Sequence, residues 1–200
     1  MRKAILHLKK SDAVMRGVIE RVGPYRMEYR EATFATLARA IVFQQLAGAA
    51  AARIFERFEG LMKERPVKAA AVAKLPIRKL RSAGLSKQKA EYVRDLARKT
   101  AAGQVQFQGL EALSDAEVTG LLTQVKGVGV WTAHMFLIFA LRRPDVLPVG
   151  DYGVRAAMQK AYGLAELPKA AEMERIAAAW RPYASVAAWY LWQSLRLKTP

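Results

Sequence analysis

The sequence contains no cysteine and only two histidines, His7 and His134. A chain without cysteine forms no disulfide bond, binds no iron–sulfur cluster through thiolates and has no thiol nucleophile. A zinc site built from histidine needs more ligands, at closer spacing, than these two residues provide, and we expect none. No apolar run approaches the ~20 residues that a membrane-spanning helix needs, so we expect no membrane partner.

Acidic residues are scarce relative to basic residues, with 17 Asp and Glu against 33 Lys and Arg, and the net charge is +16. A compact domain this basic most often binds a polyanion, and nucleic acid is the favoured partner. High solubility or an anionic membrane surface is the alternative explanation. The N-terminal stretch MRKAILHLKKSD lacks the long apolar centre and the cleavage site of a signal peptide. We therefore expect a cytoplasmic protein, associated with the nucleoid in a bacterium.

Helical spacing of apolar residues extends along nearly the whole sequence, whereas no segment alternates convincingly as a β-strand would. Ser11 predicts the N-cap of a first helix that ends at Gly23-Pro24. Ser114 and Glu117 predict a capping box at the start of a later helix. The spacing and the caps together predict an all-α protein of about ten helices.

The stretch TQVKGVGVWTA places two glycines one residue apart between two helical segments. Gly127 and Gly129 allow positive φ and a close approach of another molecule to the backbone. The helix that follows, from about Val130, begins with N–H groups that lack helical partners and with partial positive charge. The hairpin 125–130 therefore predicts a backbone site for one phosphate of a nucleic-acid strand, without recognition of base sequence. A plain αα-hairpin with a glycine C-cap is the alternative.

This hairpin, with the loop LPVGD beyond the next helix, resembles a superfamily of helix-hairpin-helix DNA glycosylases. The superfamily is named for a hairpin followed by a Gly/Pro-rich loop and an Asp, and the likeness within it is to 3-methyladenine DNA glycosylase II, the AlkA type. The other segments that carry the resemblance are ARAIVFQQL, GLSKQKAEYVRDLA, DVLPVGDYGVR and WRPYASVAAWYLW. The resemblance implies a two-lobed helical fold with the active site in the cleft between the lobes. We place the central lobe at 34–145 and form the second lobe from 1–33 and 146–200.

Asp151 ends the loop LPVGD and occupies the position of the family's essential Asp. Breaking the bond between a base and its deoxyribose builds positive charge on the sugar. A fixed carboxylate stabilises that charge and can orient or deprotonate water. The resemblance therefore implies that Asp151 is the catalytic residue. Helix N-capping is the alternative role, and the two roles are compatible because a capping Asp is held rigidly.

Trp131 distinguishes between two mechanisms. Bifunctional members of the superfamily carry a lysine two residues after the second hairpin glycine, and its amine attacks the sugar. This sequence has Trp131 in that position. No Schiff base forms there without the amine, so the resemblance implies a monofunctional hydrolase without strand-cutting lyase activity.

Aromatic side chains suit an alkylated purine such as 3-methyladenine or 7-methylguanine, because the damaged base is positively charged and an aromatic face attracts a cation. By their place in the resembling segments, the residues predicted to line the base pocket are Trp131, Tyr152, Trp192, Met135 and Phe43. Met135 stands where some relatives have an aromatic residue, and Phe43 where a small residue is frequent. Core packing is an equal alternative for Trp192.

The target base has to be flipped out of the duplex, and a side chain then fills the gap. The resemblance places this side chain in the loop after AIVFQQL, at Gln45, with Gln44 and Leu46 as neighbouring candidates. Capping of a helix end is the alternative role of the two glutamines.

Contacts to the DNA backbone are predicted at the hairpin and at the start of the helix in GLSKQKAEYVRDLA. Lysines near a helix N-terminus are unfavourable because that end carries partial positive charge, and a bound phosphate would compensate for this. The residues predicted to make these contacts are Lys126, Gly127, Val128, Gly129, Thr132, Ser86, Lys87 and Lys89. The resemblance also implies a monovalent cation, Na+ or K+, bound by the backbone carbonyls of Thr123, Val125 and Val128. No cofactor is expected to be required.

The predicted function is base-excision repair by a monomeric, monofunctional glycosylase that binds double-stranded DNA and releases alkylated purines. One alternative is a non-catalytic helix-hairpin-helix DNA-binding protein, in which Asp151 serves only as a cap. The other is a monofunctional glycosylase that acts on a different base lesion.

Overall fold

The computed structural model describes residues 1–62 and 64–197, which contain helices and no β-strand. The all-α prediction is confirmed. The α-helices are α1 (Arg2–Ser11), α2 (Ala13–Val22), α3 (Phe34–Phe43), α4 (Gly48–Glu59), α5 (Ala69–Ala73), α6 (Ile77–Ser82), α7 (Lys87–Ala101), α8 (Asp115–Thr123), α9 (Val130–Phe139), α10 (Tyr152–Tyr162), α11 (Ala170–Ala177) and α12 (Ala184–Ser194). Two 3-10 helices span Leu110–Ala112 and Ala178–Trp180. None of the helices in the described ranges has the length and apolarity needed to cross a membrane.

The chain divides into two compact units. The central unit comprises residues 30–136, and the terminal unit comprises residues 1–29 together with 137–200. The second boundary falls within α9. The lobes predicted from the sequence, with boundaries after residues 33 and 145, stay a prediction.

The terminal unit contains α1, α2 and α10 to α12 around an apolar core. Trp180 and Tyr190 are among the largest of its fully buried side chains. The Asp12 carboxylate connects three parts of this unit. It accepts hydrogen bonds from the Met15 N–H (2.9 Å), the Tyr162 hydroxyl (2.5 Å) and the Trp180 indole N–H (2.9 Å).

The first two helices differ from the prediction. α1 begins at Arg2 and ends at Ser11, and the side chain of Asp12 is the N-cap of α2. The predicted cap at Ser11 is therefore wrong by one residue. Ser and Asp are about equally good N-caps, so the adjacent pair Ser11-Asp12 offers two candidates that local preference does not separate.

In the central unit, α3, α5 and α6 all pack against α7, and α3 also packs against α4. The buried residues of α7 recur at helical spacing and form one face; they are Ala90, Val93, Leu96 and Ala97. α3 buries Leu37, Ala38 and Ile41. This packing fixes α7, which provides most of the side-chain contacts to the hairpin described below.

Candidate functional site

The predicted phosphate-binding hairpin, 125–130, lies in the loop between α8 and α9, except for its last residue, Val130, which begins α9. The predicted capping box begins α8: the Ser114 hydroxyl accepts from the Glu117 N–H (3.3 Å), and the Glu117 carboxylate accepts from the Ser114 N–H (2.7 Å). Gly127 has φ +79°, in the left-handed region that glycine adopts without strain. A Cβ at Gly127 would lie 2.0 Å from the Tyr92 ring. The conformation and the contact with Tyr92 both require glycine at this position.

The environment of Gly129 differs from that of Gly127. Its φ is not positive, and a Cβ built there would meet no atom within 4 Å. Its carbonyl accepts the first hydrogen bond of α9, from the Ala133 N–H (3.1 Å). Gly129 and Val130 are exposed at the beginning of that helix, where partial positive charge favours an anion. Positive φ is therefore needed at Gly127 alone, while Gly129 leaves the backbone open.

One face of α7 fixes the hairpin. Tyr92, Asp95 and Lys99 follow one another at helical spacing. The Asp95 carboxylate accepts from the Lys126 N–H (2.9 Å) and from the Lys99 ammonium (2.8 Å). Lys99 also donates to the Gln124 carbonyl (2.6 Å). Burial by itself would raise the pKa of the Asp95 carboxyl, but these hydrogen bonds lower it below its ordinary value.

Gln44, which directly follows α3, also contacts the hairpin. Its amide Nε2 donates to the Gly127 carbonyl (2.9 Å) and lies 3.4 Å from the Thr132 hydroxyl. The Thr132 side chain is buried, with 3% of the residue exposed. The Gln44 amide is therefore engaged within the central unit, and the Thr132 hydroxyl is turned away from solvent. Gap filling by Gln44 and phosphate binding by Thr132 are untested predictions that this geometry does not favour.

Lys89 contacts the end of α3. Its ammonium donates to the Val42 carbonyl (2.7 Å) and the Gln44 carbonyl (2.5 Å), where a cation is favourable because the helix C-terminus is partially negative. Burial lowers the pKa of Lys89. Ser86 and Lys87, by contrast, lie exposed at the start of α7. These two residues have the access to a phosphate that their predicted role requires.

Gln45 and Leu46 are exposed. Gln45 has φ +55°, a left-handed conformation that costs a residue with a Cβ about 1–2 kcal/mol. Insertion into a duplex needs an exposed side chain on a fixed backbone. Gln45 combines these two properties, and its gap-filling role stays a prediction.

Asp151 lies in the terminal unit, where it is the N-cap of α10. It is buried, with 8% of the residue exposed. Its Oδ1 accepts hydrogen bonds from the Val154 N–H (2.8 Å) and from the Trp192 indole N–H (2.8 Å). The Asp151 N–H donates to the Pro148 carbonyl (2.8 Å). The predicted capping interaction is present, and two donors orient the carboxylate.

Trp192 reaches Asp151 from α12. Its ring stacks on Phe139, with the ring centroids 5.7 Å apart and an interplanar angle of 23°. Gly153 leaves room for this arrangement, because a Cβ there would lie 3.1 Å from both Trp192 Cδ1 and Asp151 Oδ1. The sequence predicts that Trp192 lines the base pocket. Its hydrogen bond to Asp151, 41 residues away, could not be predicted from the residues around either position.

The beginning of α12 fixes the other end of the loop that leads to Asp151. The Ser185 hydroxyl accepts from the Val146 N–H (2.9 Å), and the Ser185 N–H donates to the Pro144 carbonyl (3.0 Å). The Ala184 N–H donates to the Asp145 carboxylate (3.1 Å). α12 therefore positions both the start of the loop and the carboxylate at its end. Sequence reasoning did not identify these contacts.

The remaining predicted pocket residues differ in exposure. Tyr152 is 70% exposed and Trp131 is 45% exposed, so both have accessible aromatic surface, and their place in a base pocket stays a prediction. Met135 and Phe43 are half-buried. The Arg39 guanidinium lies 3.4 Å from the centroid of the Phe43 ring, which places a cation on a face that a charged base would otherwise use. Within the terminal unit, Tyr152 and Trp192 lie next to or in contact with Asp151.

No group of three or more His, Asp or Glu side chains suited to a metal ion occurs in residues 1–62 and 64–197. The predicted cation ligands are instead carbonyls of the hairpin. The Val125 carbonyl accepts from the Val128 N–H (3.0 Å), and a carbonyl has a second lone pair for a cation. The Val125 carbonyl can therefore also accept a cation, and the monovalent cation stays a prediction.

Comparison with known proteins gives a family and a fold. Residues 38–182 match the HhH-GPD superfamily of base excision DNA repair proteins. DNA-3-methyladenine glycosylase 1 of Schizosaccharomyces pombe is 32% identical to this chain, over 98% of this chain and 88% of the relative. The structure of S. pombe 3-methyladenine DNA glycosylase (Mag1) in complex with abasic DNA has a TM-score of 0.85, over 98% of this chain and 97% of that chain.

A second solved structure agrees. DNA-3-methyladenine glycosidase from Bacillus halodurans is 34% identical, with a TM-score of 0.84, over 94% of this chain and 87% of that chain. The resemblance inferred from the sequence is confirmed. The chain belongs to the HhH-GPD superfamily of base excision DNA repair proteins.

Proposed function

We propose that this protein is a monofunctional DNA glycosylase that hydrolyses the N-glycosidic bond of alkylated purines, such as 3-methyladenine and 7-methylguanine, in double-stranded DNA. The observation that carries the proposal is the buried Asp151 carboxylate, oriented by the Val154 and Trp192 N–H groups. The names of the relatives, DNA-3-methyladenine glycosylases, support the same reaction and substrate class. A cytoplasmic location stays a prediction.

Asp151 acts on the sugar. As the glycosidic C–N bond breaks, its electrons pass to the base and positive charge develops on the deoxyribose, where a fixed carboxylate is stabilising. An alkylated purine that begins with a positive charge leaves as a neutral base. Water adds to the sugar C1′, and Asp151 accepts the proton that the water loses. The products are the free base and an abasic site in an intact strand.

The position of Trp131 argues against a covalent mechanism. A Schiff base with the sugar requires an amine, and an indole has none. Trp131 and Tyr152 present aromatic surface instead, which attracts a cationic base by about 0.5–2 kcal/mol per favourable contact. The side chains therefore favour recognition of a charged base and hydrolysis by water.

DNA is bound through its backbone in this proposal. The open backbone at Gly129 and the exposed Lys126 and Lys87 contact phosphates, and such contacts do not depend on base sequence. Gln45 fills the gap that the flipped base leaves. The protein acts as a monomer, and a monovalent cation at the hairpin carbonyls of Thr123, Val125 and Val128 would stabilise the turn without taking part in the reaction.

The test is the analysis of products from methylated duplex DNA. We expect wild-type protein to release free 3-methyladenine and 7-methylguanine, to leave the strand intact until alkali is added, and to form no covalent adduct with DNA under borohydride. Strand cleavage before alkali would contradict the monofunctional mechanism. Release of neither base, together with salt-sensitive DNA binding, would favour another lesion or a non-catalytic binding protein.

A further inference from the structure

The two neighbours of Gln45 in the chain, Gln44 and Leu46, are both held by hydrogen bonds within the central unit. The preceding residue, Gln44, is fixed twice: its carbonyl accepts from the Lys89 ammonium, and its amide donates to the Gly127 carbonyl. The following residue, Leu46, donates its N–H to the Phe43 carbonyl (3.3 Å). The exposed Gln45 side chain is therefore joined, through one residue, to both the hairpin and α7.

We propose that Gln44 and Lys89 are positioning residues that join Gln45 to the phosphate-binding hairpin, so that the backbone-bound hairpin sets how Gln45 enters the duplex. This inference rests on the proposed function, in which the hairpin binds phosphate and Gln45 fills the gap. It assigns Gln44 and Lys89 to neither insertion nor phosphate binding.

The residue type at position 44 suits this role. The Gln44 amide donates to the Gly127 carbonyl (2.9 Å) and points toward the Thr132 hydroxyl (3.4 Å). Glutamate at this position would present only acceptors to the Gly127 carbonyl, and asparagine is one methylene shorter. A donor at the end of a three-carbon side chain therefore matches the hairpin backbone.

The backbone conformation of Gln45 gives a second, independent reason. A residue with a Cβ at φ +55° stays in the left-handed region only when its surroundings enforce it. Lys89 fixes the two carbonyls of Val42 and Gln44, which lie just before that residue. Loss of these contacts lets Gln45 relax to a more populated conformation, in which its side chain is no longer directed as before.

The first measurement uses fluorescence of 2-aminopurine placed opposite a stable abasic analogue in a duplex. Insertion of a side chain at the abasic position disturbs stacking of the probe, and we expect wild-type protein to change its emission. Gln44→Ala should lose most of this change when the duplex is saturated with protein. Gln106→Ala is the matched control. The Gln106 side-chain amide likewise donates a hydrogen bond to a glycine carbonyl, that of Gly103 (3.1 Å), at a turn outside the site.

The second measurement is a double-mutant cycle on single-turnover release of 3-methyladenine. Gln44→Ala removes the hydrogen bonds of the side-chain amide. It should slow release from duplex DNA about tenfold, the factor that corresponds to 1.4 kcal/mol. Release from single-stranded DNA, where no gap has to be filled, should stay unchanged. In a Gln45→Ala background, Gln44→Ala should have no further effect, because Gln44 acts through Gln45. Independent, multiplying effects of the two substitutions would overturn the proposal.

The salt dependence of DNA binding distinguishes the role of Lys89 from that of the phosphate-binding lysines. Each lysine that contacts a phosphate contributes about 0.9 to the slope of log K against log salt. Lys87→Met should reduce this slope by that amount, and Lys89→Met should leave it unchanged while lowering the 2-aminopurine response. A reduced slope in Lys89→Met would show that Lys89 binds phosphate and would contradict its positioning role.

The two proposals fail in different ways. Wild-type protein that releases no alkylated base, yet changes the fluorescence in a Gln44-dependent way, would refute the proposed function and support the positioning role. Wild-type protein that releases base without any change in fluorescence would support the proposed function and overturn the positioning role.

Discussion

Replacement of Trp192 by Phe removes one hydrogen-bond donor from Asp151 and keeps an aromatic ring in the same place. Trp192 Nε1 and Val154 N each lie 2.8 Å from Asp151 Oδ1, and the variant keeps the Val154 donor. A phenyl ring can still stack on Phe139, whose centroid lies 5.7 Å from that of Trp192. The substitution therefore changes the orientation of the carboxylate more than the packing of the unit.

The magnitude follows from the charge on the acceptor. A hydrogen bond to a charged group contributes about 1.5–3 kcal/mol, and each 1.36 kcal/mol in activation free energy changes a rate tenfold. We expect Trp192→Phe to lower the single-turnover rate of base release by about 10- to 100-fold. The Kd for undamaged duplex should not change, because in this mechanism Trp192 acts on the Asp151 carboxylate and does not bind phosphate.

Gly153→Ala tests the same contact without removing the indole. The new Cβ would lie 3.1 Å from both Trp192 Cδ1 and Asp151 Oδ1, which is too close for the present arrangement, and the rate of base release should fall. Gly17→Ala is the matched control in the same unit, since a Cβ there meets no atom within 4 Å. Wild-type rates in both Trp192→Phe and Gly153→Ala would refute a positioning role for the indole.

Three further predictions concern the hairpin. Gly127→Ala should destabilise the protein by about 1–3 kcal/mol in urea unfolding, through overpacking and a strained backbone, because its Cβ would lie 2.0 Å from Tyr92. Gly129→Ala, with open space around its Cβ, should keep its stability and lose affinity for duplex DNA. Asp95→Asn should be less stable than wild type at pH 7. Because the folded pKa of Asp95 is lowered, this difference is present above its unfolded pKa of about 3.9 and disappears as the pH falls through the folded value; a gap that persists at pH 2 would contradict the assignment.

Local signals in the sequence identified the features that depend on neighbouring residues. The Ser114–Glu117 capping box, the turn at Gly127 and the N-cap at Asp151 each involve residues within a few positions of one another. For such features the residue type and the helical spacing are enough. The pair Ser11-Asp12 shows the limit, because two adjacent residues have the same capping preference and only the structure shows which one caps α2.

Contacts between distant segments were not predictable in the same way. Gln44 donates to Gly127, 83 residues away, and Lys89 donates to Gln44, 45 residues away. Sequence reasoning assigned both side chains to DNA because a polar residue near a binding loop has no local mark that distinguishes an internal partner from an external one. The hydrogen bond between Trp192 and Asp151 belongs to the same class.

The most direct measurement is the single-turnover rate of 3-methyladenine release by Asp151→Asn beside wild type. Asn is as good an N-cap as Asp, and its amide oxygen can accept from the Val154 and Trp192 N–H groups, so the fold and the DNA affinity should persist. Loss of the charge should lower the rate by about 100-fold or more, whereas Glu166→Gln, which removes an exposed charge of the same unit, should not. A wild-type rate in Asp151→Asn would reduce Asp151 to a helix cap and contradict the mechanism.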